Sequence, residues 1–455
     1  FPKKMVIINL APGDKKKKGS HFDLAMAIAL LQETNTIAAK QLEQFGLIGE
    51  LALNGNIRSC TGILPMIMSA GQNGIQKVIV PRSNLKEAKL VRNIEVYGFE
   101  KLPDVIRFLE GKSTGDVMNQ REETQPDVFR EYALDFADVK GQNDLIEAVV
   151  LAAAGGHNML MIGEPGCGKT MLAERIPTIL PKMTEEESLE VTKIYSISGM
   201  VKDGNTLVTN RPFRAPHHNA SLNALIGGGV NAMPGEVSLA HNGVLFLDEL
   251  AEFSRKTLDA LRQPVEDKKV FISRVNGSHT FPANFMFVAA MNPCRCGYSS
   301  EKCRCTDYEI IKYRGKISGP IIDRIDIQKE VHPVAFFDIE NCAQAPSSEE
   351  LRERVANARR IQQRRYMDVE DVNVNAQMGT PLMKKYCVLD EESLQLLKTS
   401  CEKYAYSARV VHKLLRLGRT SADLDGVENI RKKDIERVLE CRDLDRGNSK
   451  MMVVN

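Results

Sequence analysis

The sequence lacks an excess of charge of either sign, because its formal net charge is only +2 over 455 residues. Any surface that binds nucleic acid must therefore be a local basic patch. The sequence also lacks an apolar run long enough for a membrane-spanning helix, and its opening residues do not resemble a secretion signal. From these absences we expect a cytoplasmic protein that has no membrane partner.

Cysteine is too scarce for a scaffold held together by disulfides, because only ten occur in the whole chain. Four of them, Cys294, Cys296, Cys303 and Cys305, lie within twelve residues. Two C-x-C pairs separated by a short polar loop supply the four thiolates of a tetrahedral Zn²⁺ site, although C-x-x-C is the commoner spacing. The pattern favours structural Zn²⁺, and four reduced free thiols are the alternative.

What is present is the composition of an ordinary globular protein, with 43% hydrophobic and 26% charged residues, at a length that allows two or three domains. We predict an α+β domain over residues 1–111, a linker over 112–130, an α/β core over 131–335 and an all-helical lid over 336–455. The chain begins at Phe1, and Lys4–Leu10 is a predicted strand that resembles the middle of a domain. We therefore expect the first domain to be incomplete at its N-terminus.

The strongest motif is Gly163–Thr170, which fits the phosphate loop G-x-x-x-x-G-K-[ST] between a predicted buried strand and a predicted helix. Its glycines allow backbone N–H groups to turn around phosphate oxygens at the positive end of a helix dipole. Lys169 is predicted to reach the β- and γ-phosphates and Thr170 to ligate Mg²⁺. The residues expected to bind ATP are Gly163, Glu164, Pro165, Gly166, Cys167, Gly168, Lys169, Thr170 and Met171.

Asp248 and Glu249 follow an apolar run, which predicts a buried parallel strand with two carboxylates at its C-terminal end. Such a run is common by chance, but its position about eighty residues after the phosphate loop favours a functional interpretation. Asp248 is predicted to hold the Mg²⁺ shell and Glu249 to polarise the attacking water. Asn292, at the end of the predicted strand Phe285–Met291, is placed to sense the γ-phosphate or to orient water.

Two arginines are candidates for contacts with the nucleotide from outside the phosphate loop. Arg324 lies in an Asp-Arg-Ile-Asp turn just before a strand, where it could project onto the γ-phosphate of a neighbouring subunit. The alternative is an ion pair within the chain, with Asp323 or Asp326. Arg409 opens a predicted helix of the lid, where it could contact the nucleotide, and plain surface charge is its alternative.

Three residues are candidates for contact with DNA. Val270–Val275 and Ser278–Phe281, joined by Asn276-Gly277, predict a hairpin that places Arg274 and His279 close to its tip. Arg214 lies in a long basic and glycine-rich segment after the phosphate loop, and long loops of this kind are usually functional. The alternative for the hairpin is a solvated tip without a ligand.

These motifs, in this order, resemble those of the ComM/YifB family of magnesium-chelatase-like AAA+ ATPases. The segments most specific to the resemblance are Gly163–Thr170, Pro212–His218, Met291–Cys294, Ser407–Arg409 and Thr420–Asp425. The resemblance implies an α/β phosphate-loop core with a parallel sheet, followed by a C-terminal all-helical lid. It also implies a hexameric ring that hydrolyses ATP at its subunit interfaces. Family members related to ComM act as DNA helicases that drive branch migration of transforming DNA.

The first domain resembles the proteolytic domain of Lon-type proteases through Gly49–Gly55, Thr61–Leu64 and Val78–Pro81. Those enzymes use a Ser–Lys dyad. Here His21 falls at the nucleophile position with Ser20 one residue away, and Leu64-Pro-Met66 stands where the lysine belongs. A serine without its base is not activated, so we expect a scaffold or interaction module without peptidase activity.

Three functions stay open from the sequence. The first is a DNA-translocating ATPase, which the hairpin and the basic segment favour. The second is a chelatase-like or chaperone motor that acts on a protein partner. The third is an ATP-dependent protease, which the missing dyad disfavours.

Overall fold

The computed structural model describes residues 5–10, 19–114, 132–201, 207–229, 232–274, 277–299, 302–334 and 345–446, with only the backbone for Arg274 and Arg446. Most of the predicted linker and the two residues at the hairpin tip, 275 and 276, lie outside this part of the chain. Among the described helices, none combines the length and the apolar character needed to cross a membrane.

Strands and helices alternate through most of the chain. The strands are β1 Phe45–Leu47, β2 Glu50–Leu51, β3 Ile57–Arg58, β4 Lys77–Pro81, β5 Glu95–Phe99, β6 Met159–Gly163, β7 Phe213–Arg214, β8 Gly227–Gly228, β9 Met233–Pro234, β10 Val244–Leu247, β11 Lys269–Arg274, β12 Gly277–Pro282, β13 Met286–Met291 and β14 Ile327–Val331. The helices before the lid are α1 Asp23–Glu33, α2 Ile63–Gln72, α3 Leu85–Ala88, α4 Leu102–Leu109, α5 Asn143–Gly155, α6 Lys169–Ile179, α7 Glu185–Ile197, α8 Leu222–Ile226, α9 Glu236–Leu239, α10 Arg255–Ala260, α11 Arg262–Asp267, α12 Asp307–Arg314 and α13 Gly319–Ile322. Those after residue 345 are α14 Ser348–Arg365, α15 Thr380–Tyr386, α16 Glu391–Tyr404, α17 Ala408–Leu424, α18 Lys432–Glu440 and α19 Asp443–Arg446.

The centre of the molecule is a five-stranded parallel sheet in the order β14-β6-β13-β10-β7. Its inner strands are continuous apolar runs, as expected for strands covered on both faces. Along β6, Met159 and Met161 join one hydrophobic cluster, which includes residues of α5, α6, α14 and α17. Leu160 and Ile162 join a second cluster, on the side of α10, α11 and the β11–β12 hairpin. The predicted α/β fold class is therefore confirmed.

The first unit is a three-stranded parallel sheet in the order β1-β4-β5, with helices between the strands. The Asn54-Gly55 turn connects β2 to β3 in an antiparallel hairpin. The strand predicted over Lys4–Leu10 is wrong for residues 5–10, which have no regular structure. Met5 and Ile7 are largely exposed there. An apolar run becomes a strand only where a neighbouring strand accepts its backbone hydrogen bonds, and these residues have no pairing in the described part of the chain.

Among the described residues from 345 onward, the regular elements are helices and no strand occurs, as predicted, and a buried network of charges connects these helices. The carboxylate of Asp423 on α17 is fully buried. It accepts hydrogen bonds from Arg365 (Nη1, 2.7 Å; Nη2 also donates), from Arg419 Nε at 3.1 Å and from Asn375 Nδ2 at 2.8 Å. The carboxylate therefore compensates two guanidinium groups that would otherwise be buried without a counter-charge.

Replacing Asp423 by asparagine is expected to lower the free energy of unfolding by about 3 kcal/mol, because breaking a buried pair leaves the other charges uncompensated. The measurement is the urea midpoint of the full chain. The exposed Asp368→Asn variant is the control, and its midpoint should match that of the unmodified protein. Equal midpoints for the two variants would show that the network contributes little.

Candidate active site

The phosphate loop connects the end of β6 to the start of α6, so the predicted strand–loop–helix arrangement is confirmed. Gly166 and Gly168 have φ values of +79° and +88°, in the left-handed region that favours glycine. At Gly163, a Cβ atom would lie 2.3 Å from the carbonyl oxygen of Val331 on β14. The close contact of β6 with β14 therefore requires glycine at the start of the loop.

Lys169 and Asn292 meet beside the loop. The Nζ atom of Lys169 donates to the carbonyl oxygens of Gly163 and Glu164, at 2.7 and 2.9 Å. It also lies 3.5 Å from Asn292 Oδ1. The two residues come together because β6 and β13 are parallel neighbours, so that their carboxyl ends open at the same edge of the sheet.

Thr170 and Asp248 form the second contact of the site. The Oγ1 atom of Thr170 donates to Asp248 Oδ2 at 2.8 Å, and the backbone N–H of Glu249 donates to Asp248 Oδ1 at 2.8 Å. A hydroxyl and a carboxylate oxygen are ligands that suit Mg²⁺ together with the oxygens of phosphates. The residues present therefore fit the predicted metal, although the role of each remains a prediction.

Glu249 has a partner that the sequence interpretation missed. Its Oε2 atom lies 3.0 Å from Nδ1 of His218, and its backbone has a left-handed φ of +52°. His218 follows β7, which pairs in parallel with β10, and so its segment emerges at the same edge as Asp248 and Glu249. β7 is only two residues long and gives no periodic signal, which is why the neighbour was not found.

Arg324 is held within the chain, but by neither of the expected aspartates. Its guanidinium donates to Glu266, to the carbonyl oxygen of Arg262 at 3.1 Å and to that of Pro320 at 2.7 Å. Asp326 instead turns inward, where its Oδ2 accepts a hydrogen bond from the backbone N–H of Asn158 at 3.2 Å. The alternative of an ion pair within the chain is therefore correct, but its partner is Glu266 and neither Asp323 nor Asp326. The role of Arg324 toward a neighbouring subunit remains a prediction.

Arg409 lies in the first turn of α17, and its side chain is 80% exposed. Its Nη1 atom is 3.3 Å from Oδ2 of Asp323, which directly precedes Arg324. An exposed ion pair of this kind contributes less than about 1 kcal/mol. The hydrogen bonds that the structure shows for Arg324 and Arg409 go to residues outside the phosphate loop. Within one chain, these bonds therefore do not connect either arginine to Lys169. The nucleotide contact of Arg409 remains a prediction.

The hairpin predicted for DNA contact is confirmed as a hairpin, with Arg274 opposite Gly277 and Ile272 opposite His279. His279 is exposed. The side chain of Arg274 lies outside the part of the chain that the structure describes.

Arg214 is the DNA candidate that the structure disfavours. Its Nε and Nη2 atoms donate to the two carboxylate oxygens of Glu236 at 2.5 and 2.7 Å. This fork-shaped pairing raises the pKa of Arg214, chiefly through the hydrogen bonds that Arg214 donates to Glu236. Because β7 lies at the sheet edge beside α9, the arginine is neutralised by its own chain. It does not present a free cation to DNA.

The four clustered cysteines come together as the sequence predicted, with their sulfur atoms all within 4.8 Å of one another. Cys294 Sγ lies 3.1 Å from Cys296 Sγ and 3.5 Å from Cys303 Sγ, and none of the four is in a disulfide. Between the two cysteine pairs, Ser299 donates from its backbone N–H and its Oγ to Glu164 Oε1, at 3.0 and 2.8 Å. Both bonds lower the pKa of Glu164 in the phosphate loop.

In the region that resembles a Lon protease, the hydroxyl of Ser20 pairs with a carboxylate. Ser20 Oγ donates to Glu50 on β2, and Glu50 also accepts from Arg58 at 3.4 Å. The bond from Ser20 is the main cause of a lowered pKa for Glu50. A hydroxyl that donates to an ionised carboxylate gains no general base of the lysine type. The absence of peptidase activity remains a prediction.

Comparison with known proteins gives matches along most of the chain. Three family models match: "Subunit ChlI of Mg-chelatase" over residues 1–84, "Magnesium chelatase, subunit ChlI" over 135–339, and "Magnesium chelatase, subunit ChlI C-terminal" over 345–442. Competence protein ComM of Haemophilus influenzae is 39% identical over 433 residues, which cover 94% of this chain and 84% of ComM. The uncharacterized protein YifB of Escherichia coli is 39% identical over 448 residues, which cover 98% and 86%. YifB of Salmonella typhimurium is 38% identical over 451 residues, with the same coverage.

Proposed function

Because the chain belongs to the ComM/YifB family of magnesium-chelatase-like AAA+ proteins, which implies ATPase activity, we propose that it is an ATP-driven motor acting on DNA. The observation that best supports ATPase activity is that Lys169, Thr170, Asp248 and Asn292 lie together at the carboxyl edge of the parallel sheet. The finer proposal is a homohexameric branch-migration helicase that supports recombination of incoming DNA in the cytoplasm. The name of the relative ComM, a competence protein, supports this process.

In the proposed mechanism each residue of the site has one task. Lys169 would exchange its carbonyl partners in the loop for the β- and γ-phosphates, and Thr170 with Asp248 would hold Mg²⁺. When bound, Mg²⁺ neutralises charge on the phosphate oxygens. Glu249 accepts a hydrogen bond from the attacking water and orients it, while His218 fixes the direction of the Glu249 carboxylate. Asn292 senses the γ-phosphate from beside Lys169.

The proposed ring uses Arg324 as a finger and Arg409 as a second contact with the nucleotide. The ion pair of Arg324 with Glu266 is weak enough for the arginine to leave Glu266 for a phosphate. Its carboxylate partner Glu266 is 65% exposed, and such pairs contribute at most about 1 kcal/mol. A phosphate of a neighbouring subunit offers more negative charge in a drier site, so it would compete well with Glu266 for the guanidinium.

The proposed DNA contact is the β11–β12 hairpin. Lys269 and Phe271 lie on one face of β11, two residues apart, and both are exposed, Phe271 to 56%. An exposed aromatic ring next to a lysine combines the base stacking and the phosphate attraction by which proteins bind single strands without reading their sequence. His279 extends the same hairpin toward its tip. Arg214 is left out of this surface because Glu236 neutralises it.

The test is the ATPase rate with and without single-stranded and branched DNA. We expect stimulation, and binding that weakens steeply with salt through counterion release. Lys269→Ala with Phe271→Ala should weaken DNA binding by roughly tenfold or more, since stacking contributes about 1–3 kcal/mol per base, and should leave the DNA-free rate unchanged. Tyr308→Ala with Lys312→Ala, an exposed aromatic and lysine on α12, is the matched control. Absence of stimulation together with absence of binding at low salt would refute the DNA proposal.

A chelatase-like or chaperone motor is the second candidate, because the family models that match carry the name of a magnesium chelatase subunit. In that case a protein partner, and not DNA, should stimulate the ATPase. Zn²⁺, the third cofactor expected from the sequence, also remains a proposal, and it concerns the cysteine loop rather than the ATP site.

A further inference from the structure

We propose that Cys294, Cys296, Cys303 and Cys305 bind one Zn²⁺, and that the metal holds their loop against the phosphate loop, so that nucleotide affinity depends on the zinc. The loop, residues 294–305, is called the cysteine loop. The part of the proposal that concerns nucleotide rests on the proposed ATP site, whereas the metal site itself does not.

The sulfur positions support the metal. Zn–S bonds of about 2.3 Å in a tetrahedron separate the sulfurs by about 3.8 Å. The separations that the structure shows are 3.1 Å for Cys294–Cys296, 3.5 Å for Cys294–Cys303 and 3.6 Å for Cys296–Cys303, and all four sulfurs lie within 4.8 Å of one another. The sulfurs thus already surround one centre, and small outward movements reach the ideal tetrahedron.

Hydrophobic packing does not explain the clustering. Cys296, Cys303 and Cys305 are each only partly buried, and Tyr298, the large side chain between the ligand pairs, is 43% exposed. The described residues of the cysteine loop contain neither α-helix nor strand. A loop with so little apolar burial needs another source of order, and a bound metal ion supplies folding free energy directly.

The cysteine loop touches the phosphate loop at two points, both between the ligand pairs. At Gly297, a Cβ atom would lie 3.0 Å from Cγ of Pro165, so the backbone of Gly297 packs closely against the proline ring. Ser299 donates to Glu164 through its N–H and its Oγ at 3.0 and 2.8 Å. Because the metal would bind cysteines on both sides of Gly297 and Ser299, it would hold these two residues in place. Through their contacts it would also restrain the phosphate loop.

The metal site is also connected to the end of β13. Cys294 lies two residues after Asn292, whose Oδ1 is 3.5 Å from Lys169 Nζ. The intervening Pro293 accepts a hydrogen bond from Arg314 on α12 at 3.0 Å through its carbonyl oxygen. Zinc would therefore restrain the same short segment that positions Asn292. Loss of the metal releases contacts on two sides of the phosphate site.

The experiment measures metal content and nucleotide affinity on the same full-length samples. Freshly purified protein should contain one zinc per chain. Cys303→Ser with Cys305→Ser should lose the zinc and weaken binding of a fluorescent ATP analogue at least tenfold, while Cys401→Ser, a partly exposed thiol on α16, should keep both. Ser299→Ala should keep the zinc and weaken analogue binding severalfold, which separates the contact from the metal.

The outcomes distinguish the proposals. Zinc content of zero in the unmodified protein would overturn the metal site. One zinc per chain, with analogue affinity unchanged in the double serine variant, would overturn the connection to the phosphate loop. If the unmodified protein bound zinc and no ATP analogue, that connection and the proposed ATPase would both be refuted. If the double serine variant failed to fold, removing the zinc from the unmodified protein with a chelator would decide the connection, since unchanged analogue affinity in the zinc-free protein would overturn it.

Discussion

Replacing Lys169 by alanine is expected to lower ATP turnover by roughly 1,000-fold, because the variant loses the one cation that the structure places inside the phosphate loop. The ammonium group lies within hydrogen-bonding distance of two loop carbonyl oxygens and next to Asn292. It is buried, so its attraction to phosphate oxygens would be screened less than that of a surface lysine. No other side chain of the loop carries a positive charge.

The measurement is steady-state phosphate release together with binding of a fluorescent ATP analogue. Lys398→Ala is the matched control, because Lys398 is an exposed lysine on α16. Its turnover should match that of the unmodified protein. The thermal midpoint of the Lys169→Ala variant should be recorded as well, since Lys169 bonds its own loop. Turnover near the unmodified rate in a folded Lys169→Ala variant would contradict the assignment of the phosphate loop.

The parts of the fold that the sequence predicts best are those fixed by local pattern. The strand that ends at Gly163 and the strand that precedes Asp248 are unbroken apolar runs, and only a strand buried on both faces accommodates such runs next to loop glycines. The four cysteines could be grouped for the same reason, since their spacing in the chain already limits how far apart their sulfurs can lie. In both cases short-range sequence carries the information.

The partners of the charged side chains could not be predicted, because they depend on which segments the fold brings together. Arg324 has an aspartate on either side within two residues, yet it pairs with Glu266 on α11. Arg214 finds Glu236 on α9. Neither partner is recognisable from spacing, since a long arginine side chain reaches whichever carboxylate lies across the tertiary contact. The contact between His218 and Glu249 belongs to the same class, as it follows from the order of strands in the sheet.

The strand wrongly predicted at residues 5–10 shows that a local apolar pattern alone does not produce a strand. Its apolar residues have the composition of a strand, but composition does not supply a neighbour. The first sheet is completed by β1, β4 and β5 without it. Sequence patterns therefore predict what a segment could form, and pairing decides whether it forms.

Replacing Glu249 by glutamine is expected to lower turnover by roughly 1,000-fold, the size of effect usual for a positioned general base, and to leave ATP binding unchanged. The amide keeps the shape of the side chain but cannot take a proton from water. The contacts of Lys169 and of Thr170 with Asp248 do not involve the Glu249 side chain, which is why binding should be retained. Glu252→Gln, an exposed carboxylate three residues away that pairs with Lys316, is the control. Strong turnover in the Glu249→Gln variant would exclude Glu249 as the base.

Mixing this variant with Arg324→Ala tests whether Arg324 of one subunit completes the ATP site of its neighbour. Each variant alone should be nearly inactive, one for lack of the base and the other for lack of the finger. In a mixed ring with heterologous interfaces, an Arg324→Ala subunit keeps its own Glu249 and receives Arg324 from a Glu249→Gln neighbour. Random mixing in equal amounts makes about a quarter of the sites complete, so up to about a quarter of the unmodified rate should return. If Arg324 acts only within its own chain through Glu266, no site becomes complete on mixing. The rate would then stay at the average of the two variants.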